Sequence, residues 1–171
     1  MRLAQSRCHS RTGEVLTTKV KTGLKVPDFT ALATGGERWR LKDAAGKKLV
    51  VYFYPKDMTS GCTRESQDFR DLHAAFRKSG TQIVGISRDS VASHDKFVAK
   101  EKLPFTLLSD PEEEVCKLFD VIKEKSLYGR KYLGVERSTF LLDEKGVLRH
   151  EWRKVKVPGH AEEVLEAAQS L

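Results

Sequence analysis

A lone cysteine, Cys62, closes the run Tyr54-Pro55-Lys56-Asp57-Met58-Thr59-Ser60-Gly61-Cys62, directly after the apolar stretch Leu49-Val50-Val51-Tyr52-Phe53. These residues predict a buried strand that ends in a proline turn, with the cysteine opening the next helix. Unpaired N–H groups and the positive helix end stabilise negative charge on a sulfur held there. Thr59 stands three residues before Cys62, where a dithiol redox pair would need a second cysteine. One thiol beside a hydroxyl suits nucleophilic attack on a polar substrate, because a hydroxyl both donates and accepts hydrogen bonds. The blander alternative makes Cys62 a small packing residue and Thr59 only a helix N-cap. Against it, the neighbours Thr59, Ser60, Gly61, Thr63 and Arg64 are poor core company.

The elements around this run must place the sulfur. Cys62, Phe69, Leu72 and Phe76 fall on one face of a helix expected over residues 61–78, which Ser79-Gly80 closes. Strands expected at 49–54, 82–87 and 105–108 are separated by this helix and another over 91–101. That alternation implies parallel strands with covered faces, and puts Cys62 outside the carboxyl end of one of them. Upstream, 26–32 and 38–41 flank Thr34-Gly35-Gly36-Glu37 as a hairpin. Downstream, Ser109-Asp110-Pro111-Glu112-Glu113-Glu114 reads as a helix start, and the helix carries an apolar stripe of Val115, Leu118, Phe119 and Ile122. Strands at 127–135, 137–142 and 147–153 follow, the last two joined at Asp143-Glu144-Lys145-Gly146, and a helix over 161–169 ends the chain. The expected class is α/β: a central mixed β-sheet flanked by helices on both faces, with an N-terminal β-hairpin.

Length and composition narrow the functions open to this chain. Its 171 residues suffice for one domain with a full core, expected over residues 24–171 behind a basic flexible tail at 1–23. The net charge of +7 is unevenly spread. Arg2, Arg7, Arg11, Lys19, Lys21 and Lys25 against Glu14 leave +5 in residues 1–25, so the other 146 residues hold only +2. A nucleic-acid groove needs a clustered basic face with stacking aromatics, and none is legible. No apolar run reaches the ~20 residues of a membrane span. Three widely spaced cysteines, Cys8, Cys62 and Cys116, argue for a reducing compartment and against a disulfide scaffold. Neither Cys nor His shows ligand spacing for zinc beyond the adjacent Cys8-His9, and no metal or cofactor is expected. The start of the chain lacks an apolar signal core. Its Arg-rich character suits an organelle transit peptide, but a flexible tail on a cytoplasmic protein is the preferred reading. His73, His94, His150 and His160 are expected to be surface or hydrogen-bonded residues, not ligands or bases.

Pro55-Lys56-Asp57-Met58-Thr59-Ser60-Gly61-Cys62 resembles the Pro-x-x-x-Thr/Ser-x-x-Cys signature of peroxiredoxins. Tyr52-Phe53-Tyr54-Pro55-Lys56-Asp57 and Leu107-Leu108-Ser109-Asp110 are similar to the Q-type branch, the bacterioferritin comigratory proteins. The likeness runs from about Val26 to the C-terminus. It implies a thioredoxin-like fold and thiol-dependent reduction of hydrogen peroxide and organic hydroperoxides. Position by position, it implies that Cys62 is the peroxidatic cysteine, that Thr59 orients the peroxide and that Pro55 shields the sulfur. It also matches the family's arginine to Arg137, in Glu136-Arg137-Ser138-Thr139-Phe140. Without the family, Arg137 is a cation leading a buried strand, with a rim ion pair to Glu136 or another acid as the alternative.

Acidity of the thiol alone cannot make a peroxidase. Lowering a thiol pKa from about 8.5 to about 6 raises the thiolate fraction at pH 7 roughly thirty-fold. The accompanying fall in nucleophilicity returns about ten-fold of that. Orienting the O–O bond and stabilising the departing oxyanion must supply the rest.

Attack on a peroxide leaves a sulfenic acid that a second thiol must reduce. Many Q-type relatives carry a second cysteine five residues on, which here is Gln67, or on the next helix, where residues 91–101 contain none. Cys116, beside the stripe led by Val115, is expected to be a buried inert thiol. The implied cycle has one cysteine and an external thiol such as thioredoxin, glutaredoxin or glutathione, in a monomeric protein. Two other functions fit parts of the same sequence. A dithiol oxidoreductase of the same fold is disfavoured by Thr59, and a non-enzymatic redox-responsive binding module would use the basic residues 1–25.

Overall fold

The computed structural model describes residues 19–171, so Cys8, His9 and residues 1–18 of the expected tail lie outside it. Packing begins ahead of Leu24. Val20 is buried, and the Gly23 N–H donates to the Leu148 carbonyl at 2.7 Å.

In chain order the strands and helices are β1 (Thr30–Ala33), β2 (Arg38–Arg40), β3 (Lys48–Phe53), α1 (Ser60–Asp71), α2 (His73–Lys78), β4 (Thr81–Ser87), α3 (Val91–Glu101) and β5 (Thr106–Ser109). There follow α4 (Glu114–Leu118), β6 (Ile122–Leu127), β7 (Arg130–Val135), β8 (Ser138–Leu142), β9 (Leu148–Trp152) and α5 (His160–Gln169). Seven strands form one mixed sheet in the order β2-β1-β5-β4-β3-β8-β9. The β3–β4 and β4–β5 pairs are parallel, and the others are antiparallel. This is the expected mixed sheet with its N-terminal hairpin, β1 meeting β2 at Thr30↔Arg40 and Leu32↔Arg38.

β3 lies mid-sheet, and every residue of it is buried. A strand covered on both faces reads as a continuous apolar run, not an alternation. Successive side chains still point to opposite faces. Leu49, Val51 and Phe53 enter one core with Val115, Cys116 and Phe119 of the α4 region. Val50, Tyr52 and Tyr54 enter the other, with Phe69 and Phe76 of α1 and α2, Phe97 of α3 and Val164 of α5. Helices therefore cover both faces.

Three local expectations need correction. The helix expected over 61–78 bends at Leu72 (φ −97°, ψ 2°), which divides it into α1 and α2. The bend keeps Phe69 and Phe76 in one core with their rings 5.9 Å apart, and no glycine or proline announces it. The expected single strand at 127–135 is instead the second arm of a hairpin. β6 pairs with β7 from Ile122↔Val135 to Leu127↔Arg130, so Ile122 opens a strand and does not extend the stripe of α4. Tyr128 (φ 50°) and Gly129 (φ 76°) form its two-residue turn, the geometry that matches strand twist. The helix after Asp110 starts only at Glu114, yet the Asp110 carboxylate still accepts from the N–H groups of Val115 (3.2 Å) and Cys116 (2.8 Å).

Candidate active site

The first turn of α1 carries Cys62, 1% exposed, just beyond the carboxyl end of β3. The first intrahelical bond runs from Thr63 N–H to the Thr59 carbonyl at 2.9 Å. The N–H groups of Ser60, Gly61 and Cys62 precede it, so they carry the partial positive charge of the helix end. Thr59 occupies the N-cap position in extended geometry (φ −77°, ψ 153°), but its side chain caps nothing. Its hydroxyl donates backward to the Lys56 carbonyl at 2.8 Å, which leaves the oxygen lone pairs free to accept from a ligand. Pro55 is half-buried at the start of the turn, and Met58 takes a left-handed conformation (φ 66°) that swings the chain into the helix.

Arg137 arrives from the neighbouring strand, β8. The β3–β8 ladder ends at Phe53↔Ser138, so the residue before Ser138 stands level with the chain leaving β3. Its Nη2 donates to Cys62 Sγ at 3.3 Å and its Nη1 donates to Glu65 Oε1 at 2.9 Å. The acid that meets Arg137 is thus Glu65, not Glu136, and it is buried at 1% exposed instead of lying at a rim. Partial burial works against the guanidinium charge, but the facing Glu65 and Cys62 outweigh it and raise the Arg137 pKa. Gly61 makes room for this approach: a Cβ there would sit 3.2 Å from Arg137 Nη2.

Glu65 was missed in the sequence, although it lies three residues after Cys62 on the same helix face. Burial pushes its carboxyl up to about 7 despite the opposing pull of Arg137. Its Oε2 is buried without a partner, which suits a carboxyl that holds a proton near neutrality. Lys125, on β6, adds a second cation. Partial burial and then the repulsion of Arg137 lower its pKa, while Cys62 raises it.

The remaining residues singled out are not gathered at the sulfur. Gln67 Nε2 donates to Glu101 Oε2 at 2.8 Å, which ties it to α3. Cys116 is fully buried against the other face of the sheet, where burial and then the charge of Asp110 push its thiol far up. His94 is hydrogen-bonded, as expected, but buried and not at the surface: it is 0% exposed, with both ring nitrogens engaged. His160 is also buried, its Nε2 2.7 Å from the Thr139 hydroxyl, and burial lowers its pKa to about 4. Among the described residues no group of His, Cys, Asp or Glu converges as a metal site, and no helix is long and apolar enough to cross a membrane.

Comparison with known proteins follows the same lines. The AhpC/TSA family profile matches residues 22–151. "Peroxiredoxin Bcp" of Xanthomonas campestris is 52% identical over 143 residues, covering 84% of this chain and 89% of the relative. "Peroxiredoxin Bcp" of Bacillus subtilis is 47% identical over 152 residues, covering 89% of this chain and 97% of its own. Among solved structures, a Xanthomonas campestris bacterioferritin comigratory protein, described for its alkyl peroxide reduction activity, superposes with a TM-score of 0.80 at 51% identity. That match covers 83% of this chain and 90% of the other. A Xylella fastidiosa PrxQ variant gives a TM-score of 0.84 at 41% identity, over 90% and 98% of the two chains.

Proposed function

We propose, for a chain that belongs to the AhpC/TSA family and is a thiol-dependent peroxidase, that Cys62 is the sulfur which attacks the peroxide. The observation that carries this reading is the Arg137 guanidinium, which donates to Cys62 Sγ at 3.3 Å while anchored on Glu65 at 2.9 Å. A thiolate accepts from that donor better than a thiol does, so the bond favours the nucleophilic form.

Each residue of the turn then has a role. The Thr59 hydroxyl, its hydrogen given to the Lys56 carbonyl, orients the peroxide by accepting from its O–H. Cys62 Sγ attacks the nearer oxygen, an S–O bond forms and the O–O bond breaks. Charge grows on the departing oxygen, where Arg137 and the unpaired N–H groups of the first turn stabilise it. A proton from solvent completes water or an alcohol. The sulfur has given up two electrons and is left as the sulfenic acid. Pro55 walls off one side of the sulfur and restricts water access.

Recycling is by an external thiol such as thioredoxin, glutaredoxin or glutathione, in a one-cysteine cycle. A first thiol displaces water from the sulfenic acid to give a mixed disulfide, and a second releases Cys62. Supporting this, residues 91–101 carry no thiol and Cys116 packs against the opposite face of the sheet. Substrates are hydrogen peroxide and organic hydroperoxides. The alkyl peroxide activity named for the Xanthomonas campestris relative supports the organic half.

The test compares peroxide consumption and intact mass for wild type, Cys62→Ser and Cys116→Ser after one equivalent of peroxide. Cys62→Ser is expected to lose activity about a thousand-fold or more, as nucleophile removal does. Wild type should gain one oxygen, or one external thiol, on Cys62. Undiminished consumption by Cys62→Ser overturns the reading.

A further inference from the structure

Beneath the turn that enters α1 lies a buried polar network that the chemistry above does not use. Asp57, five residues before Cys62, is 1% exposed and directed onto α3. Tyr54 Oη donates to its Oδ1 at 2.6 Å and Ser93 Oγ donates to its Oδ2 at 2.8 Å. His94 Nδ1 lies 2.7 Å from the same Oδ2, and His94 Nε2 lies 2.9 Å from the Leu108 carbonyl oxygen. The Asp57 N–H donates to Asp89 Oδ2 at 2.9 Å, which also accepts from Ser87 Oγ at 2.6 Å.

Counting hydrogens decides what this geometry requires. A carbonyl oxygen can only accept, so Nε2 of His94 carries a proton. Nδ1 faces a carboxylate oxygen, and two lone pairs at 2.7 Å in so buried a site would repel. A proton therefore lies between them. Asp57 already accepts from Tyr54 and Ser93, and such bonds favour the ionised carboxylate. Burial raises the Asp57 carboxyl, but the bonds from His94, Tyr54 and Ser93 outweigh it and hold the pKa below its ordinary value. The shared proton belongs on the histidine. The other titratable groups facing the pair are Tyr54 and Tyr52 at the end of β3 and Asp89 before α3. Burial keeps both tyrosines neutral.

We propose that His94, held as an imidazolium between Asp57 and the Leu108 carbonyl, is a positioning residue that pins the 55–59 turn to α3 and β5 and thereby sets Thr59 and Cys62 against Arg137. The kinetic half of this inference rests on the peroxidase reading; the protonation half does not. A turn released by even about 1 Å misplaces the hydroxyl that aligns the O–O bond, which can cost on the order of a hundred-fold in rate.

The experiment uses the full chain labelled with nitrogen-15 in histidine. Both ring nitrogens of His94 are expected to carry protons in the folded chain, since both face acceptors. A His94 ring nitrogen without a proton in the folded chain overturns the assignment. In parallel, the second-order rate of Cys62 oxidation by hydrogen peroxide is measured for Asp57→Asn, His94→Gln and the double variant. Each single change is expected to lower it about ten-fold or more, and the double variant to be no slower than the slower single one, since the residues act as one unit. Single-variant rates near wild type, or losses that simply add, overturn the positioning role. Ser93→Ala removes one outer donor and keeps the pair, so it tests the same unit if the others fail to fold. Its expected loss is about two- to five-fold with the His94 signals retained, and a rate equal to wild type counts against the proposal. Failure of the peroxidase reading would show separately, as undiminished peroxide consumption by Cys62→Ser.

Discussion

One planar guanidinium spans Cys62 Sγ and Glu65 Oε1, and that two-pronged geometry is what lysine cannot copy. Under the proposed role, Arg137→Lys keeps the charge and loses one of the two bonds, and kcat/KM for peroxide is expected to fall about a hundred-fold. Stopped-flow oxidation of Cys62 reads it. Gly61→Ala separates activity from stability. The helix gains about 0.5–1 kcal/mol of intrinsic preference, while the new methyl meets Arg137 Nη2 at 3.2 Å and must displace it. The expected outcome is a melting temperature at or above wild type with a several-fold slower reaction. Glu65 makes a prediction about pH. Its carboxyl titrates at about 7 in the fold against 4.5 ordinarily, so between those values the folded chain binds a proton that the unfolded chain has released. This contribution to stability is complete below pH 4.5 and is lost as pH rises through 7, a change of about 3 kcal/mol. Urea unfolding of wild type against Glu65→Gln should show the difference shifting toward the glutamine variant over that interval. A constant difference would mean Glu65 stays ionised throughout.

At the scale of elements, the site is a meeting of β3, α1 and β8, and its precision depends on how closely they pack. Gly85 of β4 shows how little slack exists. A Cβ there would stand 2.7 Å from Leu107 Cδ2 and from Tyr52 Cζ, the ring whose hydroxyl lies 2.9 Å from Ser66 Oγ of α1. Gly85→Ala is expected to cost about 1–3 kcal/mol, as overpacked cores do, measured by chemical unfolding. The β6–β7 hairpin brings Lys125 to the site and leaves Leu127, Tyr128 and Leu133 exposed at 57%, 97% and 63%. Its turn was invisible in the sequence because Tyr128-Gly129 lacks the asparagine or aspartate that usually marks such a turn.

For the whole molecule, the sheet itself is a partition. Cys62 packs in the core beneath α1, α2, α3 and α5, whereas Cys116 packs in the core on the other face with Phe53 and Phe119. A bond between these sulfurs requires the sheet to open, which is why the proposed cycle needs an outside thiol. Mass spectrometry after one equivalent of peroxide is expected to show no Cys62–Cys116 disulfide. Cys116→Ala should turn over at the wild-type rate with an external thiol, at a stability cost of about 1 kcal/mol for the small void left behind. A dominant internal disulfide would remove the one-cysteine cycle while leaving Cys62 as the nucleophile.

Local order was legible because local physics dictates it. The apolar run of β3, the proline turn, Cys62 at a helix start and the bounds of α3, where the Ser90 hydroxyl accepts from the Ser93 N–H at 3.2 Å, depend on residues within a turn or two of one another. The position of Arg137 could be anticipated only through the family resemblance, and its partner not at all, since Glu65 lies 72 residues away. Which acid a cation meets is set by strand register, here Phe53 against Ser138, and no periodicity encodes that choice. His94 makes the same point: on its own helix it looks like a polar-face residue, and only the arrival of Asp57 and the Leu108 carbonyl from distant segments turns it inward. Sequence alone determined where the candidate sulfur, Cys62, stands along the chain. The tertiary structure decided what surrounds it, because burial and hydrogen-bond pairing are settled between segments, after each has taken its own shape.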